Sequence, residues 1–233
     1  MDLRAEQPLP NSRSIEPSGV IIFVDFDGTA AAEIASQKLL SRFADGNWLE
    51  IDEQLDRGEI SFYECVKQQF GMIRGHSAEL ENFCKTELQL RSGFVEFVQY
   101  AESMGYEVHI VAETLDFMIR AILEREGLGH IDIICDLGIF ENEHLVQIEF
   151  PNLRQDCQCG LGNCKGGHVR DHHESHGVRI FIGDGSNDLC GARHSDVIFA
   201  RRRLAQLCDE QGLAYHRFED FYDIKNKFTD LLL

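Results

Sequence analysis

The sequence predicts an α/β protein: a doubly wound, Rossmann-like parallel sheet with a small helical cap inserted into it. Val20 to Val24 is a short, unbroken apolar run with the character of a strand buried on both faces of a parallel sheet, and Val178 to Ile182, apolar except for Arg179, reads as a second core strand. Apolar runs alternate with helical periods through the second half of the chain, as a doubly wound sheet requires. Between the first strand and the next lie about 60 residues of short helical segments, too many for a simple βα crossover.

After the first strand, Ala30 to Asp45 places Ile34, Leu39, Leu40 and Phe43 near one helical face, and Gly46-Asn47 breaks it. Trp48 to Arg57 is a weaker helix. Ser61-Phe62-Tyr63-Glu64 has the S-x-x-E form of a capping box, and Phe62, Val66 and Phe70 continue at helical spacing. Ser77 to Lys85 adds another short helix through Leu80, Phe83 and Cys84. These segments predict a cap over residues 32–90, a core formed by 19–31 and 91–233, and a loose tail over 1–18.

The chain returns to the core as an amphipathic helix, Phe94 to Met104, ended by Gly105. Glu107 to Val111 is the second strand and Asp116 to Glu126 a helix stopped by Gly127. Ile131 to Cys135 is the third strand, and Leu137 to Phe150 reads as a hairpin whose second arm alternates Val146, Ile148 and Phe150. Val178 to Ile182 and Val197 to Ala200 complete the sheet, and Arg203 to Gln211 and Asp220 to Leu233 are helices.

Composition narrows the function classes. Forty acids against 22 bases give a net charge of −18, which makes nucleic acid and anionic membranes poor partners. The same charge repels anionic substrates at long range, so a phosphate site here needs a local cation. No apolar run approaches the ~20 residues of a spanning helix. Met1 to Ser18 carries charges and three of the four prolines, unlike a signal peptide. Eight cysteines without an export signal lead us to expect reduced thiols and a cytoplasmic protein.

Chemistry concentrates at two strand ends. Asp25 and Asp27 stand two residues apart after the first strand, where open α/β sheets bind ligands, and Gly28 allows a sharp turn. Gly183-Asp184-Gly185-Ser186-Asn187-Asp188 follows the Val178 strand in the same way. A Gly/Asp/Asn turn is common on its own, but two such acidic ends in one α/β chain argue for a site. Asp25, Asp27 and Asp184 supply hard oxygen ligands suited to Mg²⁺.

Asp25-Phe26-Asp27-Gly28-Thr29 resembles the first motif, D-x-D-G-T, of the haloacid dehalogenase superfamily of phosphatases, and Gly183 to Asp188 is similar to its fourth, G-D-x-x-x-D. The resemblance implies a Mg²⁺-dependent phosphomonoesterase acting on a small phosphorylated metabolite. Asp25 would attack phosphorus and form an aspartyl-phosphate, and Asp27 would act as general acid and base. Asp25 and Asp184 would bind the metal by side chains and Asp27 by its carbonyl, with Asp188 behind them. Lys165, in Cys164-Lys165-Gly166-Gly167, has a position similar to the third-motif lysine and would balance the acids. The second motif departs from the pattern: Ala112 stands where Ser or Thr usually follows the strand, and Thr114 lies two residues on. Either Thr114 holds the phosphate or backbone N–H groups do so alone, at a cost on the order of 10²–10³ in rate. A catalytically weakened binding protein is the alternative. Gly28, Asn187 and Glu33 are the other expected substrate contacts, although a Glu at a helix start has a plain structural use.

Within the superfamily the small cap resembles that of phosphoserine phosphatases. Val111 to Leu123, the Cys-rich loop before Lys165, Phe199-Ala200-Arg201 and Phe218-Glu219-Asp220-Phe221 resemble the methionine-salvage phosphatases acting on 2-hydroxy-3-keto-5-methylthiopentenyl-1-phosphate. Cys164-Lys165-Gly166 and the Gly183 motif are also similar to phosphoethanolamine/phosphocholine phosphatases, so phosphoserine and phosphocholine-type substrates stay open, as does a homodimer. Cys157, Cys159 and Cys164 with His168, His172, His173 and His176 form a candidate zinc set. Cys65, Cys84 and Cys190 read as core residues. Arg201-Arg202-Arg203 reads either as positive potential near the site or as a solvated turn before a helix, and Arg91 as either a phosphate contact or a surface hinge residue.

Overall fold

The structure, a computed structural model, describes residues 19–173, 175 and 177–232; the expected tail and His176 lie outside the described residues. Strand β1 (Val20–Val24) lies at the centre of the sheet, fully buried, because each of its residues is apolar and both faces are covered. It pairs in parallel with β2 (Glu107–Leu115) on one side and β5 (Val178–Gly183) on the other. The order is β4-β3-β2-β1-β5-β6-β7, with β3 (Asp132–Glu141), β4 (His144–Glu149), β6 (Val197–Ala200) and β7 (His216–Arg217). Every neighbouring pair is parallel except the β3–β4 hairpin. The strand order therefore reverses at β1/β5, the crevice in which doubly wound sheets bind ligands.

The alternation of β1 divides the core. Ile22 and Val24 face one layer with Phe97 of α5 (Phe94–Ser103), Met118 and Ile122 of α6 (Asp116–Arg125), and Phe221 and Phe228 of α10 (Phe221–Leu232). Ile21 and Phe23 face the other, with Val169 of α7 (Lys165–Asp171), Ala192 of α8 (Leu189–Ala192) and Leu204 of α9 (Arg202–Gln211). Each such side chain contributes roughly 1.5–3 kcal/mol by leaving water.

The helical insert is α1 (Ala35–Phe43), α2 (Leu49–Asp56), α3 (Phe62–Phe70) and α4 (Ser77–Glu87). The capping box expected at α3 is present: Glu64 N–H donates to Ser61 Oγ at 3.2 Å, and Ser61 N–H to Glu64 Oε2 at 2.8 Å. The two connections to the sheet meet at an Ala31–Leu90 bridge. Arg91 clasps them, its guanidinium donating to the carbonyls of Gly28, Thr29, Ala31 and Ala32. Arg91 is thus a hinge residue, one of the two roles expected of it, but part-buried rather than on the open surface.

Three element boundaries differ from expectation. α1 begins at Ala35 rather than Ala30, because Phe26–Ala30 closes as a wide turn in which Ala30 N–H reaches Asp25 O and Ala31 N–H reaches Phe26 O. β2 does not stop at Val111 but runs to Leu115 through a register shift, so Ala112 is buried within the strand. β3 does not stop at Cys135; one strand pairs with β2 in its first half and β4 in its second. β7, two residues long, was too short to leave a periodic signal.

Candidate active site

The ends of β1 and β5 are locked together by Asp25 N–H donating to Ile182 O at 2.9 Å, which brings the two acidic motifs to one point. Lys165, the first residue of α7, enters from behind. Its Nζ lies 2.6 Å from Asp25 Oδ1, 2.6 Å from Asp188 Oδ1 and 3.5 Å from Glu113 Oε2, and the side chain is wholly buried. Burial opposes the ammonium, but Asp188, Asp25 and Glu113 outweigh it and hold Lys165 well above the ordinary lysine range. The acids outnumber it. Burial, then Asp188, pushes the Asp25 carboxyl well up, against the pull of Lys165. Burial and Asp188 push Asp184 up to about 6, opposed by Arg202 and Arg201.

This surplus of negative charge fits a divalent cation. Asp25, Asp184 and Asp188 each present a carboxylate oxygen, all within 4.8 Å of one another, and the donors are hard oxygens. Asp188 also braces the loop, its Oδ2 accepting from Asp184 N–H and Gly185 N–H at 2.8 Å each. Gly28 is required by the close approach: its φ is +78°, and a Cβ there would lie 2.5 Å from Asp184 Oδ2.

Asp27 points differently from Asp25. Its Oδ1 accepts from Ala35 N–H at 2.7 Å and Ser36 N–H at 3.2 Å, so it anchors the start of α1, while Oδ2 accepts from the Thr114 hydroxyl at 3.1 Å. Burial raises its pKa against these donors. Thr114 and Glu113 reach the site because the register shift of β2 turns them there. Glu113 is buried and accepts from Asn187 Nδ2 at 2.5 Å, while its Oε1 has no partner. Burial pushes it up to about 7.

Above this floor is a cavity of about 330 Å³. Asp25, Asp27, Glu113, Thr114, Asp184 and Asn187 form its polar base; Ile34, Leu55, Phe62, Val66 and Phe70 of the insert form an apolar wall. Asp52 and Gln69 add one polar point, Gln69 Nε2 donating to Asp52 Oδ1 at 2.6 Å.

The haloacid dehalogenase-like hydrolase family matches residues 22–193. The chain belongs to this family. It is 31% identical to a 2-hydroxy-3-keto-5-methylthiopentenyl-1-phosphate phosphatase of Bacillus pumilus over 91% of each chain. It is 33% identical to the Bacillus velezensis enzyme of the same name, covering 91% of this chain and 90% of the relative. Among solved structures, a haloacid dehalogenase family hydrolase from Salmonella enterica serovar Typhi superposes with a TM-score of 0.75 at 20% identity, over 97% of this chain and 73% of that one. A phosphoserine phosphatase carrying a phospho-aspartyl intermediate analogue superposes at 0.69, with 18% identity, over 89% of this chain and 97% of that one. By family and relatives, this is a phosphatase of the haloacid dehalogenase type. No helix among the described residues is long and apolar enough to cross a membrane.

In this phosphatase the structure gathers Asp25, Asp27, Gly28, Thr114, Lys165, Asp184, Asn187 and Asp188 at the β1/β5 crevice, but it separates Glu33. Glu33 does not line the cavity; it pairs with Lys38 at 2.6 Å, since the turn after β1 carries it to the outer side of α1. Arg202 is exposed and also lines the cavity, with its Nη1 3.3 Å from Asp184 Oδ2, so of the two expectations for this run it carries positive charge to the site. It holds a left-handed φ of +46°, a strained conformation for a residue with a side chain. Cys190 is not an isolated core residue, since its sulfur lies 3.6 Å from that of Cys157. His168 turns away from the cysteines and bonds Asn163 Oδ1 at 2.7 Å. Glu113 is the cavity-lining acid that sequence reasoning passed over, and its adjacency to Ala112 was the available signal. Arg202 stands where the Arg201-Arg202-Arg203 run was weighed as positive potential near the site.

Proposed function

We propose that this phosphatase hydrolyses a small phosphate monoester with an apolar organic group, in the class of 2-hydroxy-3-keto-5-methylthiopentenyl-1-phosphate, through a phosphorylated Asp25. The observation that carries the reading is the pairing of an acid-and-lysine floor with an apolar wall contributed by the insert. Relatives at 31–33% identity bear that substrate's name and support the choice. A phosphoserine-type substrate needs a cation for its carboxylate in the wall. The cations lining this cavity are Arg202 and Arg203, both from the core helix α9, and the charged group of the wall is the acid Asp52, bonded to Gln69, so the wall offers no partner for a carboxylate.

Lys165 holds Asp25 Oδ1, which leaves Oδ2 to attack phosphorus. The Oδ2–phosphorus bond forms, the phosphorus–ester oxygen bond breaks, and Asp27 gives its proton to the leaving oxygen. A pKa raised by burial keeps that proton available. Water then attacks phosphorus, Asp27 takes the water's proton, and phosphate departs with Asp25 restored. Mg²⁺, held by Asp25, Asp184 and the Asp27 carbonyl with Asp188 behind them, would neutralise the repulsion between carboxylate and phosphate. With Ala112 buried, phosphate oxygens are left to backbone N–H groups of the Phe26–Ala30 turn, to Lys165 and to Thr114, which must release Asp27 to take part. Residues 32–90 act as a cap that closes over the substrate and excludes water.

The test is hydrolysis of a phosphomonoester panel, with Mg²⁺ and with EDTA, by wild type and Asp25→Asn. Mg²⁺-dependent turnover that Asp25→Asn abolishes, with preference for esters of apolar groups, is expected. Equal turnover by the variant would overturn the mechanism. A preference for phosphoserine would overturn the substrate class while leaving the mechanism intact.

A further inference from the structure

Four cysteines from three parts of the chain meet at one point outside the cavity. Cys157 and Cys159 lie in the loop between β4 and α7, Cys164 immediately precedes α7, and Cys190 is in α8. Their sulfurs all lie within 4.8 Å of one another, with Cys157 and Cys190 at 3.6 Å. A tetrahedral centre with metal–sulfur bonds of ~2.3 Å has sulfur–sulfur edges of about 3.8 Å. A disulfide needs about 2.05 Å, and all eight cysteines are free thiols.

The surroundings are arranged for thiolates. The Cys164 sulfur accepts the Gly167 N–H of the first turn of α7 at 3.3 Å. Such a donor stabilises a charged sulfur more than a neutral one. Gly166 lets α7 and α8 approach, since a Cβ there would collide with the sulfur and carbonyl oxygen of Cys190. Among the described residues, the metal-ligating groups gathered here are all sulfurs. An all-sulfur tetrahedral set selects Zn²⁺ over the hard cation that suits the acids.

We infer that Cys157, Cys159, Cys164 and Cys190 bind one structural Zn²⁺ in a closed four-coordinate site, separate from the acid cluster. The site joins the two segments that carry Lys165 and Asp188, which meet at 2.6 Å. Cys164 directly precedes the lysine, and Cys190 lies two residues beyond the aspartate. The metal thus fixes the distance across which Lys165 orients Asp25.

The full chain, purified under reducing conditions and dialysed against EDTA, should retain one zinc by elemental analysis. Cys159→Ser should lose it and Asp184→Asn should keep it, which distinguishes this site from the acids. Because Cys159→Ser could misfold, replacement of the wild-type metal with Co²⁺ gives a second reading: the intense visible bands of a tetrahedral cobalt–thiolate centre are expected. Substoichiometric zinc with all four thiols promptly alkylated in the folded protein would overturn the inference. So would iron in place of zinc, or zinc that Asp184→Asn loses and Cys159→Ser keeps.

Discussion

Replacing Lys165 with Met should expose how much of the fold's stability depends on balancing the buried acids around it. The ammonium makes two contacts of 2.6 Å and one of 3.5 Å, all to buried carboxylates. Removing one partner of a buried ion pair costs ~3–5 kcal/mol, because a charge is left without compensation. Urea unfolding at pH 7.5 in EDTA should therefore show a loss of about 3–5 kcal/mol. The loss should shrink towards pH 5. Glu113 is raised to about 7 and Asp184 to about 6, and Asp25 is raised as well. The folded protein thus keeps protons that the unfolded chain has released, and stability falls as pH rises from the ordinary carboxylate range to those folded values. Without Lys165 these values move further up, so the variant is penalised most at high pH. The lysine's own pKa is raised, so its contribution is complete below the ordinary lysine range and is lost only above it. A loss below about 1 kcal/mol, typical of an exposed pair, or a loss equal at both pH values, would refute this reasoning.

Glu113→Gln should relieve an alkaline fall in kcat/KM. As pH rises through about 7 the wild-type carboxyl ionises in the cavity and repels the phosphate dianion. Two unit charges roughly 10 Å apart at an effective dielectric of ~20 repel by ~1.7 kcal/mol, and a dianion doubles this to ~3.3 kcal/mol, so the variant should gain on the order of 10–10²-fold at pH 8.5. An unchanged pH profile would count against it. Asp136→Asn should flatten the pH dependence of stability, because Asp136 is buried with both oxygens unpartnered and burial raises it to about 8. In wild type, stability should fall between about pH 4 and 8 as this group ionises, and thermal melts of the two proteins should diverge with rising pH. Arg91→Ala removes the clasp on four carbonyls and should cost about 2 kcal/mol, with faster proteolysis at the junctions near residues 31 and 90. Limited proteolysis that matches wild type would remove the clasp role.

Much of the architecture was legible because it depends on local pattern. The apolar run before Asp25, the second run before Asp184 and the helical spacing of the insert each follow from which faces water must leave. The D-x-D-G-T string and the Gly183–Asp188 motif named the site, and the α3 capping box was fully local. Long-range placement was not legible. Whether Ala112 ended β2 or lay within it depended on pairing with β3, which shifts register after Val111 and turns Glu113 into the site. Arg91 and Arg202 each had two open readings until the fold set one on backbone carbonyls and the other beside Asp184. Cys190, on its own helix, gave no hint of Cys157, 33 positions away. By itself the sequence determined the fold class and singled out the acids and the lysine that converge at the strand ends, because strand burial and short motifs are written in neighbouring residues. Only the tertiary structure decided which charges share a buried space, which wall the substrate meets and which sulfurs converge, because those depend on distances between residues far apart in the chain.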